Sequence, residues 1–530
     1  MAVVSVETRE EEIIVARFGS VLAINKLLYE HSLESLMAAN ATAVTTTYGA
    51  IAESLHAYST AATWFNASYM IASSCTNPLI GRLATIFSPT NLFITCTTAF
   101  AIGCALTGLA PNATVFLIGR VVTGCGAGGL FTTATVLLVE AASVKQRGLL
   151  IGLINAVITC GSCLGGVISG AFAASRFGWR PAFSLQAPIA ILASIYIFFV
   201  SPSPPARHEN WRIGQKFAKI DYLGMLGLSA SLILLLTGAM APVFSPMPIL
   251  LGICALIIFV IIETLVPLPM IPVQVLLHPP TLFGCLAALG TMTARWTLLF
   301  YAPIWSISVL GYHPAKAGAS LIPTSIGFGF GGVAVGAFSV RHGGGYYWQS
   351  IVFIFLMSAT YIIFNSLSLP IMMSAYLSLL VANGLATGGV LNFTLAHVLS
   401  TTSEKAIVAS MYATFRGLAP SAGSGLAGGI LQRMLENSLT RSIGEHRQNA
   451  NLAQADRDLI QRLKGSPTLV WQLDGWQRDV GIMAYQQAIK SVFWLAFGCA
   501  FVAVILQALT RIGNQQHKPE TIAEAVQQED

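Results

Sequence analysis

Residues 115–170 read VFLIGRVVTGCGAGGLFTTATVLLVE, then AASVKQRGLL, then IGLINAVITCGSCLGGVISG. Each outer run holds about 20 apolar or small residues, which at about 1.5 Å of rise per residue crosses a hydrocarbon core about 30 Å thick. The charges of the stretch between them are Lys145 and Arg147. Two apolar helices joined by a basic turn form a membrane hairpin. Arg120 interrupts the first run. A bare guanidinium in hydrocarbon costs several kcal/mol, so it needs a partner, a cavity or the interface. Gly124 and Gly128 follow it on one helical face, and Gly161, Gly165 and Gly166 line the second helix. Small residues at such spacing let helix backbones approach closely.

The whole chain shares this character. Of 530 residues, 55% are hydrophobic and 9% charged, with a mean hydropathy of +0.70. A soluble globular domain carries about 25% charged residues, so that class is excluded. The net charge of +6 fits basic cytoplasmic loops better than a nucleic-acid partner, and none is expected. All nine cysteines fall in apolar runs and read as small packing residues, including the Cys160-x-x-Cys163 pair. Nothing matches a phosphate-binding G-x-x-x-x-G-K-[ST] loop or a histidine or cysteine metal cluster. The sequence therefore argues against an ATP-driven pump or an enzyme and implies no cofactor and no metal. The N-terminus, MAVVSVETREEEII, is acidic where a signal peptide would be basic.

Read in order, the chain divides into a cytoplasmic tail over 1–33, six helices over 34–200, and a polar linker over 201–219. Two further apolar runs follow over 220–270, then six more helices over 280–511, and a tail over 512–530. The last group includes a helix over about 406–432, a last helix over about 489–511 and, between them, a polar loop over 434–487, whose segment LAQADRDLIQRLKG has helical periodicity and reads as a short amphipathic cap on the non-cytoplasmic face. Short-loop charges put both termini on the cytoplasmic side. Gly336 to Gly343 keeps the seven-residue spacing of Gly81 to Ser88, a faint internal echo of the kind expected of repeated halves.

Several stretches together resemble the major facilitator superfamily: Arg120-x-x-x-Gly124, Lys145-x-Arg147-Gly148, Gly161-x-x-x-Gly165-Gly166, Trp64 to Tyr69, and Asn77-Pro78-Leu79. Within it the likeness is to fungal drug:proton antiporters of the fourteen-helix type, near the branch of vacuolar basic-amino-acid transporters, and it covers about 34–512. The resemblance implies an all-α polytopic membrane protein: two six-helix bundles with two extra central helices, about fourteen spans, working by alternating access. It also exposes departures. Asn40 stands where the family's first helix carries an acid, and in Gly81–Pro89, read as the loop after the second helix, Thr85, Ser88 and Pro89 replace an acid, a glycine and an arginine. Ser162, and not proline, follows Gly161.

The resemblance makes Arg120 a cavity-facing cation that meets an acid, a substrate anion or backbone carbonyls, with a structural tie to helix ends as the alternative. Asn40 can hydrogen-bond substrate but carries no proton. Arg295 beside Trp296 reads either as a cation–π site for an aromatic or anionic ligand or as a side chain that snorkels to the interface. Arg416, ahead of Gly417 and Pro420, reads as a hinge, gate or binding residue. Gly81, Arg82, Gly124, Gly128, Gly161, Gly165 and Gly166 are the gating and packing set. Glu140 is expected to pair with Lys145 or Arg147, and Glu53 and Glu263 to lie at the interface. Of four N-x-S/T sequons, Asn40 and Asn392 fall inside spans, leaving Asn66 and Asn112 as candidate glycosylation sites. The function expected is export of a small organic molecule in exchange for protons, by a monomer in the plasma or vacuolar membrane. Vacuolar uptake of basic amino acids is the alternative transport reading, and a non-transporting sensor is the alternative from another class.

Overall fold

The computed structural model describes residues 32–141, 147–200, 213–218, 220–241, 245–266, 269, 271–341, 346–366, 373–402, 405–447 and 454–511. Most of the 1–33 tail, the linker before residue 213, the 512–530 tail and Lys145 lie outside the described residues. So do the side chains of Thr85, Glu140 and Arg147.

The described residues contain fourteen long helices and no strand. The first six are α1 (32–54), α2 (Tyr58–Ile86), α3 (Pro89–Gly108), α4 (Ala113–Ala141), α5 (Arg147–Ala173) and α6 (Gln186–Val200, entered through Pro181–Ser184). The extra pair is α7 (Tyr222–Met240) and α8 (Pro246–Leu265). The last six are α9 (Pro279–Ser308), α10 (Leu321–Arg341), α11 (Tyr347–Ser366), α12 (Met373–Ser400), α13 (Lys405–Arg447) and α14 (Trp476–Leu509). Local chemistry starts several of them. Pro89, standing where the family has an arginine, begins α3, where its missing N–H costs nothing. Asn112 Oδ1 accepts the Val115 N–H at 3.0 Å and caps α4, and Asp221 Oδ1 accepts the Gly224 N–H at 2.8 Å and caps α7.

Eleven described helices are long and apolar enough to cross a membrane, and α1, α2 and α13 fall outside that group. These three are rich in threonine, serine, asparagine and glycine, yet sit in the interior, where each polar group needs a partner. In α1, Thr42 donates to the Ser162 carbonyl at 2.6 Å and Thr46 to the Gly166 carbonyl at 3.0 Å, both on α5.

The packing repeats. In the first half α4 lies on α2 and α3, and α3 on α6; in the second α12 lies on α10 and α11, and α11 on α14. The motif Gly124-x-x-x-Gly128-Gly129 recurs as Gly384-x-x-x-Gly388-Gly389 with the same job. A Cβ at Gly124 or Gly128 would strike the carbonyls of Tyr69 and Ser73 on α2, and one at Gly384 or Gly388 those of Thr324 and Phe328 on α10. The halves meet along two seams, α5 on α10 and α2 on α13, while α7 and α8 pair and lean through α7 on α13 and α2.

Close approach has consequences for substitution. A Cβ at Gly161 or Gly165 would run into the α1 backbone at Ser35 or Ala39, whereas one at Gly81 would meet a Thr132 methyl at 3.4 Å, an ordinary contact. Gly165→Leu is therefore expected to cost at least the ~1–3 kcal/mol typical of overpacking, because backbone cannot rotate aside. Gly81→Ala should be nearly silent. Size-exclusion recovery of the two detergent-solubilised variants is the check, and equal recovery would refute the contrast.

Three sequence expectations change. Gly81 and Arg82 lie in α2, which runs helical to Ile86, and not in a loop. The helix expected to end near residue 432 continues to Arg447, and α14 starts at Trp476, so both helices project into the expected 434–487 loop. Between them, the cap comprises a helix over Gln454–Gly465 and a 3-10 turn over Pro467–Gln472. Its apolar face, Ile460, Leu463 and Val470, joins the second-half core with Leu435, Leu439 and Ala484. Tyr485 Oη donates to the Leu463 carbonyl at 2.5 Å, and Trp471 Nε1 to the Ser308 carbonyl at 3.1 Å. Gly311 takes a φ of +69° under the Trp471 ring, a conformation and a gap that suit glycine. The cap also touches the first half, where Gly465 abuts Tyr58 and Gly49 abuts Ser466.

Candidate functional site

Four helices converge on Arg120. The side chain is fully buried on α4. Its Nη1 donates to Asn40 Oδ1 of α1 at 2.5 Å and its Nε to the Phe65 carbonyl of α2 at 3.2 Å. The guanidinium carbon lies 4.3 Å from the centre of the Tyr69 ring and 5.8 Å from that of Phe183, within cation–π range. Asn40 Nδ2 donates to Gln186 Oε1 at 3.0 Å, and Gln186 Nε2 to the Ala182 carbonyl at 2.7 Å. A polar relay thus crosses α4, α1 and α6. Arg120 and Asn40, 80 residues apart, are brought together here, a pairing the sequence reading did not make. The amide accepts the hydrogen bond an acid would accept, without its charge.

Arg295 on α9 is also buried, at 3% exposure, so it does not snorkel. It donates to Thr324 Oγ1 and to the Thr324 carbonyl on α10, and its guanidinium lies 5.0 Å from the Phe328 ring centre. The aromatic partner is Phe328 and not Trp296, whose ring lies 5.4 Å from that of Phe300.

Arg416 on α13 donates to Asn155 Oδ1 of α5 and lies 5.8 Å from the Phe131 ring centre on α4. One side chain therefore bridges the two halves. Beside it Ser74 Oγ donates to the Gly417 carbonyl at 3.1 Å and to Ser421 Oγ at 2.9 Å. Glu34, at the start of α1 and fully buried, acts electrostatically on Arg416. The sequence reading did not single it out.

A cavity of about 50 Å³ lies between the halves below the cap, lined by Tyr48 and Asn66 from the first half, Tyr301 and Ser424 from the second, and Lys464 from the cap. Lys464 Nζ meets Glu436 Oε2 at 2.7 Å. It is the charged side chain of the lining, and it was legible only as one base in a polar loop. A second space of about 10 Å³ lies between Asn155, Phe328 and Asn392.

One other residue departs from expectation: Asn66 sits inside α2 and lines the cavity, where no glycan has room. Asn112 is exposed on the α3–α4 turn, its Oδ1 engaged in the helix cap. Glu263, two residues before the end of α8, is 2% exposed, accepts the Ile271 N–H at 3.2 Å and acts on Arg82. Glu53 is exposed at the end of α1. Gly166 meets Gly318 and Leu321 across the seam.

Two pseudo-repeated helical bundles, a cavity between them and buried arginines held by neutral acceptors define an integral multi-pass carrier of small molecules. The family model of the Major Facilitator Superfamily matches residues 33–424, and the chain belongs to that family. It is 27% identical over 463 residues to the vacuolar membrane amino acid uptake transporter fnx2 of Schizosaccharomyces pombe, covering 84% of this chain and 78% of the relative. It is 27% identical over 462 residues to the multidrug resistance protein fnx1 of the same yeast, covering 83% of each. To the efflux pump dotC of Dothistroma septosporum it is 29% identical over 317 residues, 57% of this chain and 52% of that one. Among solved structures, an inward-facing, unoccupied bacterial homologue of the human lysosomal transporter Spinster superposes with a TM-score of 0.61 at 13% identity, covering 93% of this chain and 98% of that one.

Proposed function

We propose that this protein exports a small organic molecule by alternating access in exchange for protons, as a monomer in the plasma or vacuolar membrane. The observation that carries the reading is the cavity between two halves that Arg416 bridges, with the first half's polar cluster centred on Arg120. The likeness to a multidrug resistance protein and an efflux pump supports export. Glu34, buried at the start of α1 and acting electrostatically on Arg416, is the candidate titratable group for that exchange in place of Asn40.

Uptake of basic amino acids into the vacuole is the second reading, favoured by the likeness to fnx2. A cationic amino acid wants carboxylates in the cavity, and the charge on the lining is that of Lys464. Flux into sealed proteoliposomes under an imposed pH gradient tests both, with a panel of dyes, toxins and labelled arginine, lysine and histidine, and with Arg120→Ala as control. Gradient-driven movement of the organic compounds, lost in the control, is expected. Movement of the basic amino acids alone would replace export with uptake, and binding without any flux would make the protein a sensor.

A further inference from the structure

Among the described residues, the buried cations do not all meet a carboxylate. Lys464 of the cap is matched by Glu436, while Glu34 acts electrostatically on Arg416 and Glu263 on Arg82. Arg120 and Arg295 differ from these. The hydrogen-bond acceptors of Arg120 are an amide and a carbonyl, and those of Arg295 are a hydroxyl and a carbonyl. The titratable groups acting on them are Tyr69 and Cys104 for the first, Tyr361 and Cys163 for the second, with no carboxylate among the described residues. Arg120 Nη2 is buried with no acceptor, so the group retains an unused donor. Among the described residues, each half thus holds a deeply buried guanidinium with no carboxylate acting on it, Arg120 on α4 and Arg295 on α9, and the turns of α9 beyond Arg295 bring Phe300, Tyr301 and Ile304 to the cavity. In a low-dielectric interior such charges act over longer distances than in water, and neutral acceptors orient them without screening them.

We propose that the cargo crosses as an anion, an aromatic or amphipathic molecule carrying a carboxylate or similar acid group, and that Arg120 and Arg295 set that preference. The inference rests on the transporter reading and narrows it. Two positive charges repel a cationic cargo during its passage, whereas an anion supplies the countercharge that the fold omits. Asn40 is then a selectivity device: an acid at that position would neutralise Arg120.

The test uses two xanthene dyes of matched shape, anionic fluorescein and cationic rhodamine 123, in counterflow on proteoliposomes of the full-length protein, with binding of each followed by anisotropy. Wild type should favour fluorescein by about 10-fold or more, and Asn40→Asp should cut that ratio by about 10-fold, as expected when one of two nearby charges is cancelled. Asn40→Asp keeps shape and offers Arg120 a better acceptor, so folding should survive; Arg295→Gln is the independent second variant, and thermal melts accompany both. Carriage of rhodamine 123 with exclusion of fluorescein, or a ratio unmoved in both folded variants, would overturn anion selectivity and leave the transporter standing. Neither dye bound nor carried would remove the transport reading as well.

Discussion

Asn40→Leu is expected to be more damaging to the fold than Arg120→Leu, although the latter removes the larger and charged side chain. In the first variant a fully buried guanidinium loses the acceptor that Nη1 uses at 2.5 Å, and Gln186 Oε1 loses its donor at 3.0 Å. A lost hydrogen bond to a charged group costs about 1.5–3 kcal/mol and an orphaned buried polar atom about 1–3 kcal/mol, so the two together cost about 2.5–6 kcal/mol. In Arg120→Leu the Phe65 carbonyl lies inside α2, where it already serves the helix, and the main orphan is Asn40 Oδ1. That variant should lose about 1–3 kcal/mol. The double variant removes both ends of the bond and should be more stable than Asn40→Leu alone. All three should lose flux by about 100-fold, because stability can be recovered without the charge but the site cannot. Thermal unfolding in detergent, read beside proteoliposome flux, measures both quantities. Equal melts for the two single variants would mean that the guanidinium finds another acceptor and that Asn40 does not hold it.

That pair also shows what can be read without coordinates. Arg120 and Asn40 stand at motif positions, and the glycines of α4 and α5 announce close helix contacts by spacing alone, so a large part of the site was legible. Glu34 was not, because it lies in the polar stretch at the head of α1, where a thin apolar pattern hides which acids face inward. The repeat Gly384-x-x-x-Gly388-Gly389 was readable and went unread; comparing it with Gly124-x-x-x-Gly128-Gly129 is the signal that finds it. Arg295 is adjacent to Trp296 in sequence, but successive helical residues point about 100° apart, so its ring partner comes from α10 instead. The far end of α13 was missed for a different reason. Hydropathy marks where a helix leaves the membrane and not where it ends, and beyond residue 432 α13 continues with exposed pairs such as Arg441 and Glu445, 2.8 Å apart.

A disulfide between the cap and α1 is expected to stop turnover reversibly. The cap is built into the second half by Ile460, Leu463 and Val470, by the Tyr485 and Trp471 hydrogen bonds, and by the chain itself. It also packs on the first half, where its helix lies along α2, Gly465 meets the Tyr58 backbone and Gly49 meets Ser466. When the halves part on this face, the apolar side should stay seated and the Gly49–Ser466 contact should open. A Cβ placed on Gly49 would lie 2.7 Å from Ser466 Oγ and 3.6 Å from Ser466 Cα, which is within disulfide reach. In Gly49→Cys/Ser466→Cys, oxidation should lower flux by about 20-fold or more, a reductant should restore it, and neither single variant should respond. The single variants carry the same nine free native cysteines, so any effect of those on oxidation appears in these controls. Binding measured from the opposite face should persist in the locked protein, because the Arg120 and Arg416 contacts are untouched by the bond. A fully oxidised double variant that still transports at the wild-type rate would show that the cap rides with both halves, and that cargo leaves by a route other than the cavity mouth beneath Lys464.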